Sequence, residues 1–242
     1  MSDKVLFYNK IVPLNEQRHK NYCFEHKGDY SFTKETNAVF LSLMEFPKAS
    51  REYPIVFAGN EENSAPFALV GLENNQNLFL SKYEKWNAEY IPAYVRRYPF
   101  VLAKSNNNYT VCIDESCKGF NQEGKGERLF DEKGEQSTYL ENMLGFLNQY
   151  HIDQKRTQDF MAKLREYDLL EPMHANVELN SGVRVSLKGF FVINRDRLKK
   201  LESDKITDLI KSDALERIYT HLVSLENFNP LMERFAALDK AS

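Results

Sequence analysis

The chain has 242 residues, 42% of them apolar and 28% charged, with a net charge of −3. That length and composition suit a globular protein that buries a substantial core without staples, and the balanced charge argues against bulk nucleic-acid binding, which calls for a basic stripe. Cys23, Cys112 and Cys117 cannot all pair within one chain, and Cys112-x4-Cys117 lacks the second close pair of a structural zinc site, so reduced thiols and no metal are expected.

The amino-terminal stretch MSDKVLFYNKIVPLNEQRHK is broken by Asn9, Lys10 and Pro13 and has no small-residue cleavage site, so no signal peptide is expected. No run of about 18 apolar residues occurs, which predicts a soluble, cytoplasmic protein without a transmembrane helix. Residues 38–43 are largely apolar and predict a strand. Ser42-Leu43-Met44-Glu45 then has capping-box spacing, with a short helical turn following through 46–52, where Pro47 is tolerated in the first turn. Residues 53–57 predict a strand, with Pro54 favouring its start or an edge. Residues 67–72 and 77–80 predict two more around a turn at Asn74-Asn75, and 109–113 predicts another.

Residues 121–137 are mostly polar, interrupted by Leu129-Phe130, and predict a surface loop between two halves. Residues 138–150 and 154–169 carry apolar side chains at helical spacing, among them Phe160, Leu164 and Tyr167. Residues 176–179 and 183–192 predict a hairpin about Asn180-Ser181-Gly182. Ser203 and Ser212 are good N-caps for terminal helices. Leu215, Ile218, Tyr219, Leu222 and Leu225 form an apolar stripe after the second. The pattern predicts an α+β fold, with a mixed or antiparallel sheet in the first half and helices gathered in the second half. One domain would span 1–242, with a sheet-rich subregion 1–120 and a helix-rich subregion 138–242.

The most informative segment is WNAEYIPAYVRRYPF, residues 86–100, which holds the only Trp, three Tyr and a twin arginine. Rigid aromatics beside guanidinium groups build recognition surfaces, and they also build well-anchored cores. On a helix Tyr90, Tyr94 and Arg97 share a face, whereas on a strand Arg96 and Arg97 point to opposite sides. In either case one guanidinium can meet a carboxylate or phosphate bidentately.

Elsewhere the signals are weaker. None of His19, His26, His151, His174 and His221 sits in HExxH. His151-Ile152-Asp153 falls between two predicted helices and suits a solvated connection. His221 lies beside the apolar stripe of the late helix, either as a hydrogen-bonded core histidine or as a base. Asp114-Glu115 follows a predicted strand, as a solvated turn or as paired carboxylates of a site. Cys112 suits a small buried hydrophobe, and Cys117 has no His or Asn spacing that marks a nucleophile. Gly124-x-Gly126 lacks the third glycine of a dinucleotide site, and no GxxxxGK[ST] occurs.

The chain resembles the SapC family of bacterial proteins. The resemblance rests on Glu45-Phe46, Tyr53-Pro54-Ile55-Val56-Phe57, Ala68-Leu69-Val70-Gly71-Leu72, Asn77-Leu78-Phe79, Trp86, the block from Tyr90 to Phe100, Cys112-Ile113-Asp114-Glu115, Leu129-Phe130-Asp131, Gly189-Phe190, His221-Leu222 and Ser224-Leu225. It covers roughly residues 10–235, in keeping with one domain. It implies a link with bacterial surface layers. The family's other label, peptide-transport permease, does not fit a chain without membrane spans. No catalytic residue set comes with the resemblance.

The leading expectation is a non-enzymatic binding or assembly protein linked to surface-layer or surface-protein biogenesis. It would take a protein or peptide partner whose acidic group meets Arg96 or Arg97, and would need no cofactor. The alternative is an enzyme acting on a peptide, amino acid or small metabolite, with an arginine as anion clamp and His221 or Asp114 as acid or base. A third possibility is that the aromatic and arginine residues only build the core. The candidate ligand-binding residues are Trp86, Tyr90, Tyr94, Arg96, Arg97, Asp114 and His221.

Overall fold

The structure, a computed structural model, describes residues 5–60, 62–105, 108–178 and 184–239. Strands β1 (Ile11–Pro13), β2 (Cys23–Phe24), β3 (Ala38–Phe40), β4 (Ile55–Ala58), β5 (Ala65–Leu69), β6 (Phe100–Ser105), β7 (Asn108–Asp114) and β8 (Phe120–Asn121) come first. Single-turn helices α1 (Glu16–His19), α2 (Phe46–Ala49) and α3 (Ala93–Arg96) interrupt them. Then follow β9 (Glu127–Arg128), α4 (Thr138–Glu166), β10 (Leu170–Glu178), β11 (Arg184–Ile193), α5 (Arg195–Lys199), α6 (Ser203–Lys211), α7 (Ala214–Ser224) and α8 (Phe228–Asp239). This is the α+β class, and every described strand pair is antiparallel.

The largest sheet has the order β10-β11-β4-β5-β3, so the second half of the chain contributes two strands to a sheet begun by the first. The expected division into a sheet-rich and a helix-rich half therefore does not separate the sheet, because Phe190 and Phe191 of β11 pair with Ala58 and Phe57 of β4. Pro54 precedes β4, and its carbonyl accepts from the Leu69 amide at 3.0 Å. That places the proline at the start of a central strand, where its missing N–H costs nothing. Two further sheets, β1-β7-β6 and β8-β2-β9, stand beside this one. No described helix is long and apolar enough to cross a membrane.

One buried cluster draws residues from Phe7 to Phe235. A smaller one joins Phe24, Phe100, Ile113, Leu129, Phe130, Leu140 and Leu147. Helix α4 connects them, giving Leu140 and Leu147 to the smaller cluster and Phe160, Met161 and Leu164 to the larger. Leu129 and Phe130, the two apolar residues of the expected surface loop, anchor that stretch in the smaller cluster. The stretch also carries β9.

Helix α4 replaces the two expected helices with one of 29 residues. His151-Ile152-Asp153 is not a connection, because nothing there breaks the helical ladder. Asp153 accepts from Gln149 at 2.9 Å, one turn back, and the Thr157 hydroxyl donates to the Asp153 carbonyl at 2.7 Å, one turn on. The same hydroxyl accepts the Leu43 amide at 2.8 Å, fastening α4 to the turn before α2. The helix ends three residues before the expected boundary, in a Schellman closure. Leu169 donates to Leu164 at 2.9 Å and Asp168 to Arg165 at 3.0 Å, with Asp168 in the left-handed region at φ 51°.

Other expectations are also corrected. Residues 77–80 turn rather than extend, because the Asn77 side chain accepts the Phe79 amide at 2.9 Å and donates to Thr33. Only Leu80 keeps a bridge, to Trp86. Ser203 is the first residue of α6, not its cap, and Ser212 closes α6 rather than opening α7. Asp213, left-handed at φ 57°, takes the cap position of α7. Within the expected stripe Ile218 and Leu222 are buried, while Tyr219 is exposed. The hairpin strands form, with Glu178 paired to Arg184. The turn itself, Asn180-Ser181-Gly182, lies outside the described residues.

Candidate functional site

The aromatic and arginine segment is held from below by the stretch around α2. The Ser42-x-x-Glu45 spacing brings Glu45 Oε2 back to the Ser42 amide at 2.8 Å and its hydroxyl at 2.9 Å. Glu45 Oε1 turns the other way, accepting the Ala93 amide at 2.6 Å and the Tyr90 hydroxyl at 2.8 Å. Glu45 is 5% exposed, so a carboxylate sealed in the core is satisfied by donors from one local and one distant segment. Glu52 adds a second clasp, taking the Glu89 amide at 2.9 Å and the Tyr90 amide at 2.8 Å. Tyr53 completes the set. Its hydroxyl accepts the Trp86 indole N–H at 2.9 Å and donates to the Tyr90 carbonyl.

The clamp separates the twin arginines. Arg96 is exposed. Its Nε donates to the Ile91 carbonyl at 2.9 Å, and its guanidinium lies 5.1 Å from the Phe146 ring and 5.8 Å from the Tyr90 ring. Arg97 is 7% exposed and stacks on Tyr94 at 4.0 Å, with Tyr150 at 5.3 Å and Tyr8 at 5.7 Å. Its side chain makes no hydrogen bond or ion pair among the described residues, and its buried Nε and the Tyr150 hydroxyl are both unpartnered. Cation–π contact with three phenol rings is what holds its charge. Burial raises the pKa values of Tyr8 and Tyr150 well above the ordinary phenol value, against the pull of Arg97, so both rings stay neutral.

On the Arg96 side the segment walls a cleft of about 260 Å³. Phe32 and Tyr98, stacked at 4.1 Å, line it together with Tyr30 and Cys117. Arg96, Lys27 and Lys118 supply positive charge to its lining, and Glu25 and Asp29 negative charge. Burial pushes the Cys117 thiol up, which keeps it protonated and a poor nucleophile.

The structure brings Trp86, Tyr90, Tyr94, Arg96 and Arg97 into one neighbourhood, puts Asp114 behind the cleft, where its partners Asn9 and Ser116 are among the lining residues, and puts His221 in other surroundings. Both Asp114 oxygens are occupied, by the amides of Asn9 at 2.8 Å, Lys10 at 3.0 Å and Ser116 at 3.0 Å and by the Ser116 hydroxyl at 2.6 Å. Burial would raise its pKa, yet those hydrogen bonds outweigh it and hold the carboxyl below its ordinary value. The adjacent Glu115 is pinned by Lys10 at 2.7 Å and by Arg18 and His19. His221 is fully buried, 4.7 Å from the Phe57 ring, with Nε2 accepting the Ile193 amide at 3.2 Å. Burial, opposed by the Ile55 main chain, pushes its pKa down to about 3. A neutral ring is also what the Ile193 amide requires, because a protonated Nε2 would face another donor.

Sequence reasoning missed Glu45, Glu52, Tyr8 and Tyr150 as parts of this neighbourhood. Glu45 carried a signal, the capping box, but only for its local half. Among the described residues no cluster of three or more His, Cys, Asp or Glu can hold a metal.

Three variants test these assignments. Glu45→Ala leaves four donors without an acceptor and is expected to cost about 3 kcal/mol or more in urea unfolding. Glu52→Ala, at a partly exposed residue, is expected to cost about 1 kcal/mol. The His221 pKa is depressed on folding, so its contribution is complete above pH 6.5 and is lost as the unfolded state takes up a proton below that. Between pH 7 and pH 5, above the carboxylate range, the wild type is expected to lose about 2 kcal/mol more than His221→Gln, which keeps an acceptor for Ile193. Equal losses would contradict a neutral buried His221.

No curated protein and no solved structure matches the chain. Residues 14–231 match the model of the SapC family, and the chain is a member of that family.

Proposed function

We propose that the chain is a non-enzymatic binding or assembly protein that anchors an acidic, aromatic-bearing peptide segment of its partner in the cleft beside Arg96. The observation that carries this reading is the cleft itself, an aromatic floor with an exposed guanidinium that makes no ion pair among the described residues. Its volume, about 260 Å³, lies just under the usual range for small-molecule sites, roughly 300–1,000 Å³, and suits one or two side chains of a longer chain. Arg96 is pre-oriented by the Ile91 carbonyl, so little freedom is lost when it meets a carboxylate.

The SapC resemblance directs the partner towards surface-layer or surface proteins. In this reading they meet the chain on the cytoplasmic side, where Cys23, Cys112 and Cys117 stay reduced. The enzymatic alternative has less support. Asp114 is saturated with hydrogen bonds and His221 is sealed in the core, so neither is placed to exchange protons with a ligand at Arg96.

The test is a peptide array probed with the full chain and with Arg96→Glu, followed by mass spectrometry of the recovered peptides. The expected result is selection of peptides with Asp or Glu beside an aromatic residue, an affinity lower by about tenfold or more in Arg96→Glu, and peptides recovered intact. Unchanged selection by the variant would overturn the role of Arg96. Cleaved or modified peptides would overturn the non-enzymatic reading.

A further inference from the structure

The last turns of α4 face a second concave region, independent of the Arg96 cleft. Two cavities of about 330 and 290 Å³ lie there, and Arg165 and Ser64 line both. The walls are mixed, with Leu164, Leu170, Pro172 and Phe191 as the apolar part of one cavity and Phe40, Ala65 and Met161 as that of the other, among polar side chains.

The polar groups between the cavities are not spent on the fold. Arg165 makes no side-chain hydrogen bond or ion pair among the described residues, although nearby cations do. Arg156 pairs with Asp153 at 3.4 Å, Lys163 pairs with Asp208, and Arg197 pairs with Asp168 at 2.9 Å. Ser64 is 6% exposed, and its hydroxyl has no hydrogen-bond partner. A cation in the last turn of a helix is favoured by the helix dipole. That explains its charge, but not its place between two cavities of mixed lining or the unpartnered hydroxyl that shares them.

The geometry points to a binding site for a small amphipathic carboxylate. Its oxygens would be taken by the Arg165 guanidinium and, after rotation, the Ser64 hydroxyl, and its apolar body would lie in a flanking cavity. A monoanion fits better than a phosphate dianion, because Arg197 in the same lining is already paired with Asp168, which leaves Arg165 to meet the ligand, and Glu62 would repel a second negative charge. Each cavity stands near the lower end of ligand-site volumes, which limits the body to a short acyl chain or a single ring.

Hexanoate is the probe, titrated into the full chain while the Met161 methyl signal is followed by NMR. Hexanol and inorganic phosphate are run in parallel as the two halves of its chemistry. Saturable binding with a Kd of about 1–10 mM is expected for hexanoate. Affinity should fall about tenfold in Arg165→Met and about threefold in Ser64→Ala. It should not change in Lys155→Met, an exposed position on the same helix. Hexanol or phosphate binding as well as hexanoate, equal affinity in Arg165→Met, or no saturable shift would each overturn the assignment. None of these outcomes bears on Arg96, so this site and the peptide cleft stand or fall separately.

Discussion

A single sealed carboxylate, that of Glu45, fixes the part of the molecule that distinguishes it. A buried charge is expensive unless it is fully hydrogen-bonded. Here the cost is offset by two donors from Ser42, three residues away, and two from Tyr90 and Ala93, more than forty residues away. The local pair shapes the entry into α2, and the distant pair fixes where α3 begins. Glu52 and Tyr53 repeat the arrangement at the edge of the same stretch, so the segment carrying the arginines is fastened by main-chain and side-chain contacts along its length.

Once α3 is fixed, the roles of the two arginines follow from helix geometry. Consecutive residues on a helix point about 100° apart, so a turn that buries Arg97 can leave Arg96 in solvent. Arg97 goes inward and is held by Tyr94, Tyr150 and Tyr8. Arg96 goes outward and rims the cleft with Tyr98 and Phe32. The interior arginine is part of the scaffold, and the exposed one is available to a partner. The two original readings of the segment, a recognition surface or an anchored core, are thus divided between neighbouring residues.

The local half of this arrangement was legible in the sequence. Ser42-x-x-Glu45, the strands near 53–57 and 67–72, and the Asn180-Ser181-Gly182 turn signal between β10 and β11 all report interactions within a few residues. The clamp was not legible, because nothing near Glu45 announces a partner at Ala93, and nothing near Arg97 announces Tyr8 or Tyr150. The apolar spacing predicts two helices, 138–150 and 154–169, and His-Ile-Asp reads as a connection because it falls between them. The absence of any Gly or Pro between Phe146 and Leu169 was the better signal. Ser212 failed as a cap because its hydroxyl turns back to the Asp208 carbonyl at 2.7 Å and closes α6, and Asp213, whose short polar side chain tolerates the left-handed conformation better than most, takes the cap position.

The central claim is that the clamp makes the arginine segment part of the core, and native-state amide hydrogen exchange tests it most directly. The amides of Tyr90 and Ala93, bound to Glu52 and Glu45, are predicted to exchange only through global unfolding, with protection matching that of β4. The irregular cleft wall at Lys27 should exchange early. Exchange of Tyr90 and Ala93 on the timescale of that wall would contradict the account, because the segment would then be a loop resting on the core.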